Sequence, residues 1–270
     1  MSAELDPFAE FFGFVRSRFH YDFTGYAQSS LRRRASRVAG RHGCDDLAAL
    51  QALLTARPEL FTGVVSELTV PVSEMFRDPP FFRELRERVL PYLATFPLVR
   101  VWIAGCSTGE ELYSVAIVLR EQNLLERSLI YATDINPRAL QAAEAGIYDV
   151  GRMAAFTRQH QRSGAKTSLS DHYHADEHAA VFDRTLRERV VFSDHSLATD
   201  GVFAEVQLVV CRNVLIYFGR ELQDRALGLF ADALCPLGFL GLGPRETLQF
   251  SPHRAAFRLI DEETRWYQRT

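Results

Sequence analysis

The stretch VWIAGCSTGEE, Val101 to Glu111, constrains this chain more than any other. A β-rich run ends in a glycine-bearing turn, and helical apolar spacing (Leu112, Val115, Ala116, Leu119) follows at once. Gly105 and Gly109 let backbone approach a ligand closely, and the first turn of the next helix offers free N–H groups. This is the geometry of a nucleotide site at the carboxyl ends of a parallel sheet. The spacing departs from GxGxxG because Ser107 takes the middle glycine's place, which weakens a dinucleotide reading. A second signal is YATDIN, which puts Asp134 at the end of the next apolar run, about 25 residues beyond the turn. A carboxylate there can accept both hydroxyls of a ribose. Each signal alone also fits an ordinary βα turn or a solvated strand end. Together they point to an adenosine-type cofactor and leave the reaction open.

The rest of the chain fits around this unit. Residues 1–78 read as a helical domain. Phe8, Phe11, Phe12, Val15 and Phe19 form one stripe, a second helix starts near Gln28, a third carries Leu47, Leu50, Leu53 and Leu54, and Pro58 opens a fourth. After Asp78-Pro79-Pro80 the pattern becomes strand–helix–strand–helix, which argues for parallel βαβ units over residues 79–270. Strands are expected at Val99–Gly105, Leu129–Thr133, Val206–Val210 and Gly238–Gly241, with a hairpin closing the chain. The segment from about 163 to 193 breaks the alternation and reads as a small β insertion with strands at AAVF and RVVF. A third cleft signal is VVCRNVLIYF, which brings Arg212, Asn213 and Tyr217 to a strand's carboxyl end.

Net charge is −3, so a generally basic nucleic-acid binder is disfavoured. Four scattered cysteines give neither a disulfide scaffold nor a zinc-finger spacing. The acidic start and the absence of a long apolar run point to a soluble cytoplasmic protein with no membrane insertion. HYHADEH, His172 to His178, reads as a polar stretch of an exposed insertion, and no metal is expected. Cys106 and Cys211 lack a histidine partner fixed by spacing, so neither is expected to act as a nucleophile.

TVPVSEMFRD, AGCSTGEELYS, ATDINPRALQAAEAGIY and CRNVLIYF, in this order, closely resemble the chemoreceptor glutamate methyltransferases, the CheR-type family. The resemblance covers nearly the whole chain. It implies an all-helical N-terminal domain and a Rossmann-like α/β methyltransferase domain bearing a small antiparallel β-subdomain. It also implies S-adenosylmethionine as cofactor, methyl transfer to a glutamate on the cytoplasmic signalling helix of a receptor, and S-adenosylhomocysteine as product. Carried over position by position, Ser73, Arg77, Gly105, Gly109, Glu110, Glu111, Asp134, Ser196, Leu197, Arg212 and Asn213 would hold the cofactor, and Tyr217 with Arg212 would position the reacting groups. Three positions depart from the family pattern. Pro71, with no side-chain donor, stands where Asn is usual. Ser196 replaces an Asn. GPRE, Gly243 to Glu246, keeps only the ends of GHSE.

The second helix is dense in arginine, with Arg32, Arg33, Arg34, Arg37 and Arg41. Such a run is usually a solvated face. The resemblance implies that Arg33, Arg37 and Arg41 dock an acidic receptor helix, where charge sets orientation and on-rate. No aromatic interleaving supports nucleic acid as the partner. Two other functions compete with the transferase. A nicotinamide-dependent oxidoreductase lacks its GxGxxG, and a non-catalytic adaptor rests only on Pro71 and Ser196.

Overall fold

The computed structural model describes residues 6–70 and 72–270; Pro71 lies outside the described residues. The chain opens with α1 (Pro7–Phe19), α2 (Gln28–Arg41), α3 (Leu47–Ala56) and α4 (Phe61–Leu68). The Asp6 carboxylate caps α1 by accepting the Phe8 N–H, and Asp46 caps α3 through Ala49 N–H. The α1 stripe closes a separate core in which Phe8, Phe11, Phe12 and Val15 meet Phe23, Leu31 and Leu54. Phe19 stacks on Phe61 at its edge, with ring centroids 3.8 Å apart.

A long helical run follows: α5 (Pro79–Glu84), a widened π turn over Leu85–Val89, and α6 (Leu90–Leu93). The α/β domain then alternates as expected through β1 (Val99–Ala104), α7 (Glu110–Glu121), β2 (Ser128–Asp134) and α8 (Pro137–Ala145). Pro137 supplies the preset φ of a first turn, and Gly146 ends α8 at φ 64°. Next come β3 (Ile147–Asp149), α9 (Met153–Arg162), β4 (Tyr173–Ala175), β5 (Ala179–Phe182), β6 (Val190–Asp194), β7 (Val206–Cys211), α10 (Arg220–Ala233), β8 (Leu234–Leu242), β9 (Phe257–Asp261) and β10 (Trp266–Arg269).

The seven-stranded sheet has the order β6-β2-β1-β7-β8-β10-β9 and is parallel except for β10. The strand order reverses between β1 and β7, so the ligand crevice of such a sheet belongs at their carboxyl ends. Successive β1 side chains serve opposite faces: Val101 and Ile103 pack with α7, and Trp102 and Ala104 with α10. Among the described residues no helix is long and apolar enough to cross a membrane.

One strand assignment changes. AAVF is β5, the centre of a small antiparallel sheet β3-β5-β4, but RVVF enters the main sheet as β6. There it runs parallel to β2, with Ile130 opposite Val190. A short apolar run carries no information about its partner, and β6 is an edge strand with only one. The small sheet also recruits β3 from before α9, so its strands flank that helix.

A buried ionic network ties α7 to α9. Glu121 binds the Arg86 guanidinium of the π turn, His160 Nε2 at 3.1 Å and the Thr167 hydroxyl at 2.6 Å. Burial pushes the Glu121 pKa up, but the His160 and Thr167 hydrogen bonds and the Arg86 charge outweigh it and hold the pKa at about 2. That value lies below the ordinary 4.5, so the carboxylate stabilises the fold above pH 4.5 and loses this contribution as pH falls toward 2. At pH 7, Glu121→Gln should cost about 3–5 kcal/mol by stranding Arg86. It should also flatten the acid limb of the Tm–pH profile. An unchanged Tm at pH 7 would refute this assignment.

Candidate active site

A cavity opens at the reversal point between β1 and β7. Its floor comes from the β1, β2 and β7 loops (Gly105, Asp134, Arg212), and its roof from the helical domain (Tyr26, Arg34, Thr69). Two strand tips are knitted together beneath it. Gly105 and Cys106 donate their N–H groups to the Thr133 carbonyl, and the Asp134 carboxylate accepts Ser107 N–H at 2.8 Å and Asn136 N–H at 2.9 Å. Burial raises the Asp134 pKa, and the two backbone bonds work against that rise. Gly105 is required here: its φ is 73°, and a Cβ would strike Val214 Cγ2 at 2.5 Å.

Arg212 forms the opposite wall. Its guanidinium reaches Glu111 at 2.9 Å and Asp78 at 2.7 Å, and lies 4.2 Å over the Phe81 ring. Phe81 is stacked in turn on the fully buried Trp266, whose Nε1–H donates to the Phe81 carbonyl. The charge on this wall therefore rests on the hydrophobic core. Burial raises the Glu111 pKa, and the nearby Arg212 and Arg77 charges oppose the rise. The loop after Arg212 is held by Glu246. Its carboxylate accepts the N–H groups of Gly243, Asn213 and Val214 at 2.7–3.0 Å. A Cβ at Gly243 would meet Glu246 Oε2 at 2.7 Å, so the two ends of GPRE are the residues this lock needs.

Among the residues singled out from sequence, Ser73, Arg77, Gly105, Glu111, Asp134, Leu197, Arg212, Asn213 and Tyr217 line the cavity. Gly109, Glu110 and Ser196 do not. Gly109 has φ 95° at the α7 N-cap, where a Cβ would press on Ala143 at 2.9 Å. Glu110 turns inward to pair with Arg152 at 2.8 Å, and Arg152 binds the Ser73 carbonyl at 2.6 Å. Glu110 thus acts on the cavity through Arg152. The Ser196 hydroxyl closes a local turn by accepting Ala198 N–H.

On α2, Arg33 and Arg37 are exposed and, among the described residues, make no ion pair; Arg41 is held by Glu67 at 3.1 Å and Arg32 by Asp6. Arg34 leaves this face and reaches the cavity, 5.8 Å over the Tyr217 ring. Sequence reading grouped it with the outer arginines. The signal was its place three residues after the buried Leu31, on the flank of the apolar stripe. Tyr26, Thr69 and Asn136 were also missed, because contacts between domains leave no local pattern. His172 is a correction: it is buried and bonds Thr167 at 3.1 Å, while His174 and His178 are exposed. Burial pushes the Cys106 and Cys211 thiols well up, which disfavours the thiolate in both.

These residues fit an adenosyl cofactor. An ionised carboxylate offers about four acceptor sites. Asp134 gives part of this capacity to the Ser107 and Asn136 N–H groups and leaves the rest for a diol. Ile135 and Leu197 supply apolar walls for a base, and Glu111 supplies negative charge for a cationic end.

Comparison with known proteins agrees. Residues 6–69 match the CheR methyltransferase all-alpha domain, and residues 71–265 match the CheR methyltransferase SAM binding domain. A Pseudomonas putida protein designated methyltransferase Cher3 is 47% identical over 253 residues, 94% of this chain and 93% of that protein. The chemotaxis protein methyltransferase of Listeria innocua is 31% identical over 229 residues, 84% of each chain. Chemotaxis protein methyltransferase 1 of Pseudomonas aeruginosa is 31% identical over 237 residues, 83% of this chain and 84% of its own. With both domains matched and the cavity suited to the cofactor, the chain belongs to the CheR family of S-adenosylmethionine-dependent methyltransferases.

Proposed function

We propose that this enzyme methylates glutamate side chains on the cytoplasmic signalling domain of a chemoreceptor or a related signalling protein. The observation that carries this reading is the pair of cavity cations Arg34 and Arg77, which among the described residues have no ion-pair partner, beside Tyr217. With the cofactor's own carboxylate on one of these cations, a carboxylate acceptor would pair with the other.

The bound cofactor supplies an electrophilic methyl group on a sulfonium. A glutamate carboxylate is already ionised near pH 7, so no general base is needed. Its oxygen forms the new C–O bond as the S–CH3 bond breaks, giving a neutral methyl ester and a neutral thioether with no proton transfer. Both charges vanish in the step, which a water-excluded cleft favours. The chain's task is to position the reactants. In this reading Asp134 and Glu111 orient the cofactor. Arg212, with both Nη groups committed to Asp78 and Glu111, braces the wall on the cofactor side. Arg77 holds the carboxylate end of the cofactor, and Arg34 with the Tyr217 hydroxyl directs the acceptor carboxylate. Arg33 and Arg37 remain free to meet an acidic helix from outside.

The experiment is incubation with methyl-labelled cofactor and receptor cytoplasmic fragments, followed by counting of base-released methanol. Label that resists mild alkali would argue against a glutamyl ester. Tyr217→Phe should lower kcat about 10–100-fold, the worth of one hydrogen bond to a charged group, with S-adenosylhomocysteine affinity within twofold of wild type. An unchanged rate would remove this hydroxyl from the mechanism. Reversing charge with Arg33→Glu and Arg37→Glu should raise KM for the receptor fragment at least about tenfold at low salt, with a smaller effect at high salt. Loss of cofactor binding in that variant would count against a docking role.

A further inference from the structure

The helical domain touches the site through more than its side chains. Residues 25–27, just before α2, lie antiparallel to residues 217–219, with Tyr26 opposite Phe218. Ala27 N–H donates to the Tyr217 carbonyl at 2.8 Å, and Gly219 N–H donates to the Gly25 carbonyl at 2.8 Å. The Tyr26 and Phe218 rings meet edge-on at 4.9 Å. Close approach is built in, since a Cβ on Gly25 would lie 3.0 Å from Leu222 Cβ and one on Gly219 would lie 3.1 Å from the Gly25 carbonyl.

Tyr217 is therefore held from two directions. Glu246 and Gln223 fix its turn from the catalytic domain: Glu246 binds Val214 N–H, and Gln223 binds the Leu215 and Phe218 carbonyls at 3.0 Å. The Tyr217 carbonyl itself is fixed by Ala27, the N-cap residue of α2. The same helix carries Arg34 over the Tyr217 ring and presents Arg33 and Arg37 outward.

We infer that the 25–27 strap makes the helical domain a positioning element for Tyr217, with Ala27 as the positioning residue. A partner that loads α2 acts on Tyr217 through the two strap hydrogen bonds at residues 217 and 219 and through Arg34 over its ring. This inference deepens the glutamate-methylation reading and rests on its placement of Tyr217 at the reacting centre.

Ala27 has φ −61°, which proline adopts without strain, and Tyr26 before it is extended, as a residue preceding proline must be. Ala27→Pro thus deletes the N–H that reaches Tyr217 while keeping the φ of residue 27. With the full chain and a receptor fragment, kcat should fall about tenfold while KM for the fragment and affinity for S-adenosylhomocysteine stay within twofold. In 19F NMR of 3-fluorotyrosine-labelled protein, the line removed by Tyr217→Phe should broaden or split in Ala27→Pro. If that variant fails to fold, Gly25→Ala lifts the strap by a few tenths of an ångström against Leu222 and should give the same changes more weakly. Wild-type kcat together with an unshifted Tyr217 line would overturn the inference, as would a kcat loss matched by equal losses of cofactor affinity and Tm. Absence of receptor methylation by the wild-type enzyme would instead sink the glutamate reading, and the fluorine line would still decide the strap.

Discussion

The Asp134 carboxylate, shared between Ser107 N–H and Asn136 N–H, is the interaction on which the rest of the site depends. It fastens the tip of β2 to the glycine turn after β1, so two loops far apart in sequence become one surface. Backbone bonds from Gly105 and Cys106 to the Thr133 carbonyl set the two tips side by side, and the carboxylate fixes where the acid itself points over the turn. The cost is a carboxylate removed from water, which the raised pKa records. Charge-assisted bonds to backbone donors offset that cost.

The same tie extends into the domain interface. Asn136 caps α8 through Arg138 and Ala139 N–H, and its side chain also accepts the Ser66 hydroxyl and donates to Thr69. The end of α4 is thereby locked to the cofactor loop. The Gly25–Ala27 strap makes a second lock at the other side of the cavity. Helical roof and sheet floor thus share hydrogen bonds at both rims, so the cavity is a property of the two domains together.

Much of this was legible in the sequence because its signals are local. The start and end of α7, the Pro137 and Gly146 punctuation of α8 and the acid at the end of β2 follow from propensity and turn chemistry alone. The resemblance added Ser73, Arg77, Glu111 and Leu197, all of which line the cavity. What escaped depends on pairing across distance. RVVF carried no mark of its partner strand, and Glu110 and Glu111 are indistinguishable until a helix sends one to Arg152 and the other to Arg212. Arg34 stands on the flank of the α2 apolar stripe, but the cavity that this flank faces is made by a contact between domains that sequence does not show. Gly109 was credited to ligand approach, but its role is to admit Ala143.

The glycine turn and Asp134 together form one adenosyl-binding surface. Calorimetric titration of S-adenosylhomocysteine into the wild-type chain and Asp134→Asn, with thermal unfolding to verify the fold, tests it most directly. A single site is expected in the wild type, with affinity lower by at least about 100-fold in the variant, the loss of two hydrogen bonds to a charged acceptor. Equal affinities in two folded proteins, or binding of NADH in preference to S-adenosylhomocysteine, would contradict it.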